Sequence, residues 1–201
     1  MLIFKELTPL YLIIVVVLVL LVGSPLLQKV LVYPNKEFFT QVWILGPEHE
    51  AGNYPFNVTS GSNYSFFLDL SNSLGNLSYY QVQVKLRNQN QPAADSLNKT
   101  PSGLPSLFDV AAFVDNHASW ELPVVFSLNY VFDSDGWQVK LNNMVFNGET
   151  LDISGYTAYV DGSGQCLVNL FFEVWIYDDA QNTFVYHERF VGLWLNLQRP
   201  S

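Results

Sequence analysis

Sulfur chemistry is almost missing from this sequence. Among 201 residues there is one cysteine, Cys166, which excludes an internal disulfide and any cysteine-based metal cluster. Positive charge is scarce as well: nine Lys and Arg stand singly against eighteen Asp and Glu, for a formal charge of −9. No cationic stripe of the kind a phosphate backbone requires can be assembled, so nucleic acid is excluded as a partner. Three histidines, His49, His117 and His187, are too far apart for a zinc-binding spacing. There is no Gly-x-Ser-x-Gly nucleophile elbow and no Gly-rich loop opening a helix to cradle phosphate. What is abundant is apolar material: 49% of residues are hydrophobic and 15% aromatic, while 13% are charged, a balance that folds around a packed core.

Part of that apolar content is concentrated in one run. From Leu7 to Leu27 no residue is charged, and at about 1.5 Å per residue a helix of this length covers roughly 30 Å, the thickness of the hydrocarbon layer. Thr8 followed by Pro9 reads as an N-cap with proline at the first helical position, and Gly23, Ser24 and Pro25 supply a stop. A cleaved signal peptide is the rival reading. Cutting after Ser24 would place Pro25 just past the scissile bond, and cutting after Gly23 would leave bulky Leu21 where a small residue is expected. The expected organisation is therefore a cytoplasmic stub over residues 1–6, a transmembrane helix over 7–27, a juxtamembrane linker over 28–37 and an extracellular domain over 38–201.

Orientation is not set by charge, because Lys5 is offset by Glu6 while Lys29, Lys36 and Glu37 lie on the far side. It is read from four N-glycosylation sequons, at Asn57, Asn63, Asn76 and Asn98, all before residue 101, where chance supplies roughly two. Together with an Asn- and Ser-rich polar surface they place the body outside a cell.

Past the anchor no sustained helical period occurs, and several segments alternate with period two. In Ser78 to Arg87, Tyr80, Val82, Val84 and Leu86 share one face while Tyr79, Gln81, Gln83, Lys85 and Arg87 share the other. Further strands are expected over Phe38 to Leu45, Tyr64 to Leu70, Trp120 to Phe132, Trp137 to Leu141, Leu167 to Tyr177, Thr183 to His187 and Phe190 to Leu197. Asn147-Gly148, between Met144-Val145-Phe146 and Leu151-Asp152-Ile153, signals a type I′ hairpin because both positions need positive φ. Residues 88–106, with Pro92, Pro101 and Pro105, read as a surface excursion. Many strands and turns without helical interludes predict an all-β fold, an immunoglobulin-like antiparallel β-sandwich behind one N-terminal transmembrane α-helix.

Within that body no catalytic or cofactor-binding residues are selected. Asp133-Ser134-Asp135-Gly136 opens like a calcium loop, which makes Asp133 and Asp135 the metal candidates. Yet Trp137 stands at the next ligand position and no EF-hand glutamate follows, so a plain turn is the simpler account and calcium an open alternative. Glu48-His49-Glu50, next to Pro47, reads as a solvated turn. Cys166 begins an apolar strand without a cationic helper, the setting of a buried small hydrophobe, with an intermolecular disulfide as the exception. Of Trp43, Trp120, Trp137, Trp175 and Trp194, core packing is expected for all but Trp137, which lies beside a turn and is the candidate for a surface platform.

Phe39-Thr40-Gln41-Val42-Trp43-Ile44-Leu45-Gly46-Pro47 and Ala51 through Gly61, then Asn76 through Val84, Leu170-Phe171-Phe172 and Leu193 through Leu197, together resemble an archaeal membrane-protein family described as domain of unknown function sixteen-sixteen. The resemblance covers the ectodomain and implies an immunoglobulin-type sandwich held outside the membrane; it carries no catalytic residues. Its members often have several membrane helices ahead of the domain, whereas one is expected here. The expected partners are membrane lipid and other cell-surface or membrane proteins, or further copies of the chain. The resulting expectation is an anchored, non-enzymatic surface protein with N-linked glycans and no cofactor, serving structure or recognition. A pilin-like filament subunit is the alternative, opposed by the absence of a small residue at Lys5-Glu6-Leu7, and an exported hydrolase the third.

Overall fold

A computed structural model of the chain describes residues 11–21 and 38–199. Residues 11–21 are helical with every side chain exposed. Among the described residues no helix is long and apolar enough to cross a membrane. The expected span from Leu7 to Leu27 lies partly outside them, at 7–10 and 22–27, as do the expected stub and linker.

The body, residues 38–199, is built from strands. They are β1 (Phe39–Leu45), β2 (Asn57–Thr59), β3 (Tyr64–Ser73), β4 (Ser78–Asn88), β5 (Phe108–Val114), β6 (Ala118–Phe132), β7 (Gln138–Phe146), β8 (Glu149–Asp152), β9 (Thr157–Tyr159), β10 (Leu167–Asp178) and β11 (Thr183–Gln198). One sheet has the order β1-β3-β6-β7-β8 with β9 also on β7, and the other runs β2-β11-β10-β4-β5. The two layers form a sandwich. All strand pairs are antiparallel except β2 with β11, a departure from the antiparallel expectation.

The period-two pattern does what it implies in β4: Tyr80, Val82, Val84 and Leu86 are buried in the core. They meet Val168, Leu170, Phe172 and Val174 of β10 and residues from the facing sheet, among them Phe66, Phe126 and Phe146. Phe66 sits edge-on to both Phe126 and Phe172, with centroids 5.8 and 5.7 Å apart, the geometry that ring quadrupoles prefer. Asn147 and Gly148 both take positive φ, 48° and 88°, and Phe146 pairs with Glu149 across the two-residue loop, as the hairpin signal predicts.

Three strands, β2, β5 and β9, carry no clear alternation and do not follow from it. Where the sequence predicts a break after His187, β11 instead runs on as one strand with a bulge. Val174 pairs with Arg189 and Trp175 with Tyr186, leaving His187 and Glu188 as the extra residues, and Glu188 adopts φ 59°. The bulge aims His187 at β1, where its Nε2 lies 2.8 Å from Thr40 Oγ1, which is also 2.8 Å from the Tyr80 hydroxyl. Burial, with Arg189 nearby, lowers the His187 pKa.

The excursion between β4 and β5 lies against the outer face of the second sheet. Beneath it Lys85 Nζ meets Glu173 Oε2 at 2.7 Å, with side chains 3% and 0% exposed. The Ser102 amide donates to Glu173 Oε1 at 2.8 Å. This cover is why β10 is buried on both faces from Val168 to Val174.

Candidate functional site

At one end of the sandwich three chain segments converge around an open groove of about 670 Å³. The first is the turn joining β6 to β7. The Asp133 amide donates to the Gln138 carbonyl at 2.9 Å, and the Gln138 amide returns to Asp133 Oδ1 at 3.1 Å. Gly136 closes this turn at φ 72°, a left-handed conformation that glycine tolerates without strain. Trp137 follows immediately, 65% exposed, its carbonyl held by the Val160 amide at 2.9 Å.

The second segment is the turn from β9 to β10. Asp161 Oδ1 accepts from the Ser163 amide at 2.9 Å, the Ser163 hydroxyl at 2.7 Å and the Gln165 amide at 3.0 Å. These bonds, led by the Ser163 hydroxyl, hold the Asp161 carboxyl below the ordinary carboxylate value, so it is an anion at neutral pH. The third segment is the end of β11. Arg199 lies over the Phe132 ring, 5.3 Å from its centroid, and donates to the Gly136 carbonyl at 2.6 Å.

Cys166 contributes to the lining but is 1% exposed, and burial, with Asp161 second, pushes its thiol up to about 11. It is a protonated, inert side chain at neutral pH. The same burial removes it from the intermolecular disulfide held open on sequence grounds.

The groove offers an exposed indole, carboxylates at Asp135 and Asp161 and a guanidinium at Arg199, while the Gln198 amide in its lining is committed to Asn57 and the Asn196 carbonyl. An arrangement of one aromatic plane ringed by planar polar groups suits a small polyhydroxylated ligand, which has apolar C–H faces and hydroxyl edges. Its volume is in the range of small-molecule sites, roughly 300–1,000 Å³.

Of the residues singled out by sequence, Trp137 and Asp135 line this groove and Asp133 stands behind it, committed to its own turn. Among the described residues no group of three or more His, Cys, Asp or Glu that could hold a metal ion occurs, and Asp133 Oδ1 accepts from the Gln138 amide. Asp161, Gln198 and Arg199 carry no local signal, because their nearness to Trp137 is created by the meeting of β7, β9 and β11, whereas Phe132, the last residue of β6, is brought there by the same turn that carries Trp137. The tryptophans depart from the expected core packing. Trp120 packs against the core and Trp43 and Trp175 are half-buried, but Trp194, on the outer face at 37% exposure, carries the Arg87 guanidinium 4.7 Å above its ring. The four sequon asparagines are all exposed. Asn57 Oδ1 accepts from Asn196 and Gln198, both at 3.0 Å, and Asn98 Nδ2 donates to Asp95 at 2.6 Å.

One carboxylate pair forms elsewhere. Asp69 of β3 is directly across from Glu121 of β6, with His49 stacked on Phe67 and 3.4 Å from Glu121. Burial first, and Glu121 second, raise the Asp69 pKa, with His49 opposing. Neither carboxylate lines the groove at Trp137.

No family model matches the chain, and no curated protein does. Among solved structures it is similar to a β-glucosidase from Listeria innocua, crystallised in complex with glucose, at a TM-score of 0.37 and 6% identity. The similarity covers 82% of this chain and 17% of that one, so the chain spans under a fifth of the enzyme's length. Likeness at that level transfers neither activity nor ligand.

Proposed function

We propose that the chain is a membrane-anchored cell-surface protein of the archaeal type its sequence resembles, whose immunoglobulin-like body stands outside and recognises neutral carbohydrate in the groove at Trp137. The uncharged run from Leu7 to Leu27 supports the anchor. The observation that carries recognition is Trp137 itself, an indole left 65% exposed beside carboxylates and a guanidinium that can grip hydroxyls. A neutral ligand follows from charge: Asp135 and Asp161 outnumber Arg199, which already commits a donor to the Gly136 carbonyl. Acidic glycans meet net repulsion there.

Two measurements test this reading. Protease added to sealed cells should digest the body, and protection of the body from outside would reject the topology. The full chain in a sugar-free detergent, titrated with cellohexaose, mannohexaose and chitohexaose, should show saturable tryptophan fluorescence change with at least one, and Trp137→Ala should abolish it. No change at millimolar sugar, or an unaltered response in the variant, would refute recognition at this groove.

A further inference from the structure

We infer that the glycan on Asn76 folds back onto its own chain and is seated on an aromatic platform beside the β3–β4 turn. This rests on the exterior placement proposed above and is independent of the groove at Trp137.

The platform is on the outer face of the second sheet. Tyr79 of β4 and Phe113 of β5 are stacked, with centroids 4.2 Å apart and planes 12° from parallel. Phe184 of β11 lies 5.1 Å from Tyr79 and 5.4 Å from Tyr177 of β10. The Tyr177 hydroxyl donates to Asn182 Oδ1 at 2.6 Å, which pins that ring. The cluster is nonetheless open to solvent on one side: Phe113 is 68% exposed and Leu77 55%. A contiguous apolar surface of this kind on a folded body marks a contact.

Its occupant is indicated by what stands at the rim. A groove of about 590 Å³ is lined by Leu77, Tyr79, Phe113 and Tyr177 together with Asn76, the acceptor of the Asn76-Leu77-Ser78 sequon. The attachment point is held still. Asn72 Nδ2 donates to the Asn76 carbonyl at 2.8 Å, Asn72 Oδ1 accepts from the Leu74 amide at 3.0 Å, and the Gly75 amide donates to Asn116 Oδ1 at 2.9 Å. Gly75, at φ 91°, turns the chain so that Asn76 is exposed at the groove. A sugar tethered there starts within reach of the rings, at an effective concentration no free ligand matches. The apolar C–H face of a pyranose covers stacked rings while its hydroxyls stay in water. A protein partner would instead have to seat against a surface already rimmed by a bulky, hydrated glycan.

The test uses the full, glycosylated chain purified from membranes, with Asn76→Gln, Phe113→Ala and the double variant made in the same host. Glycopeptide mass spectrometry should find Asn76 occupied. Asn76→Gln should speed amide exchange at Tyr79 and Phe113 at least threefold and lower the Tm by roughly 2–4 °C. Phe113→Ala, at an exposed ring, should leave a folded protein in which the same Asn76→Gln change no longer alters either reading. An unmodified Asn76 on a chain glycosylated at Asn57, Asn63 or Asn98 overturns this inference alone, as does an occupied Asn76 whose removal changes neither exchange nor Tm. A chain unmodified at all four sequons with its body protected from external protease overturns the exterior placement and this inference with it.

Discussion

The ion pair under the excursion offers the most direct test of how the body is held together. Lys85 and Glu173 come from neighbouring strands on the outer face of a sheet, where charged residues ordinarily remain hydrated, yet both are buried and joined at 2.7 Å. Glu173 is satisfied twice, by Lys85 Nζ on one oxygen and the Ser102 amide on the other. Lys85→Met keeps most of the side-chain volume and removes the cation, leaving a carboxylate in a dry site with one amide donor. Breaking a buried pair in this way costs about 3–5 kcal/mol. With a urea m-value of about 2 kcal/mol/M, the midpoint should fall by roughly 1.5–2.5 M at pH 7. Lys85→Met with Glu173→Leu should recover most of the loss, since a buried pair exchanged for apolar groups is often neutral or stabilising. The refuting result is a loss below about 1 kcal/mol for the single variant, or a double variant no more stable than the single one; either would mean the pair is not dry and the excursion does not seal it.

Gly192 faces Phe171 Cβ at 2.7 Å and the Leu170 carbonyl oxygen at 3.0 Å from where a Cβ would stand, so Gly192→Ala should destabilise by about 1–3 kcal/mol in thermal or urea unfolding. Asp69→Asn should stabilise the fold at pH 7 by about 0.2–1 kcal/mol, by removing a buried carboxylate and, second, its like-charge pairing with Glu121. The native Asp69 carboxyl holds its proton more tightly than the unfolded chain's, so wild type loses stability as pH rises from 3.8 through the raised native value. The gain from Asn should therefore appear above that window and vanish below it in thermal melts across pH. Cys166, buried and with its thiol pushed up to about 11, should resist iodoacetamide at pH 8 in the native protein and react on denaturation, as followed by mass spectrometry.

Local chemistry makes much of this architecture legible in the amino-acid sequence. Alternation places β4 and its inner face, because a half-buried strand must separate apolar from polar side chains with period two. Asn147-Gly148 places a hairpin, because few residue pairs accept two positive φ values. Exposure of Trp137 follows from its position against a turn. Each of these depends on near neighbours in the chain. The rest depends on distant ones. β2 and β9 are three residues each and owe their extended form to β11 and β7. The charges of Lys85 and Glu173 argue for water, and only the excursion crossing above them makes a dry pair. Asp161 and Arg199 line the same groove as Trp137, and Phe113 stacks on Tyr79, because sheet pairing brings together residues tens of positions apart. Such proximity leaves no periodic trace in the sequence, since it is selected by the packing of whole layers and not by the conformational preference of any one segment.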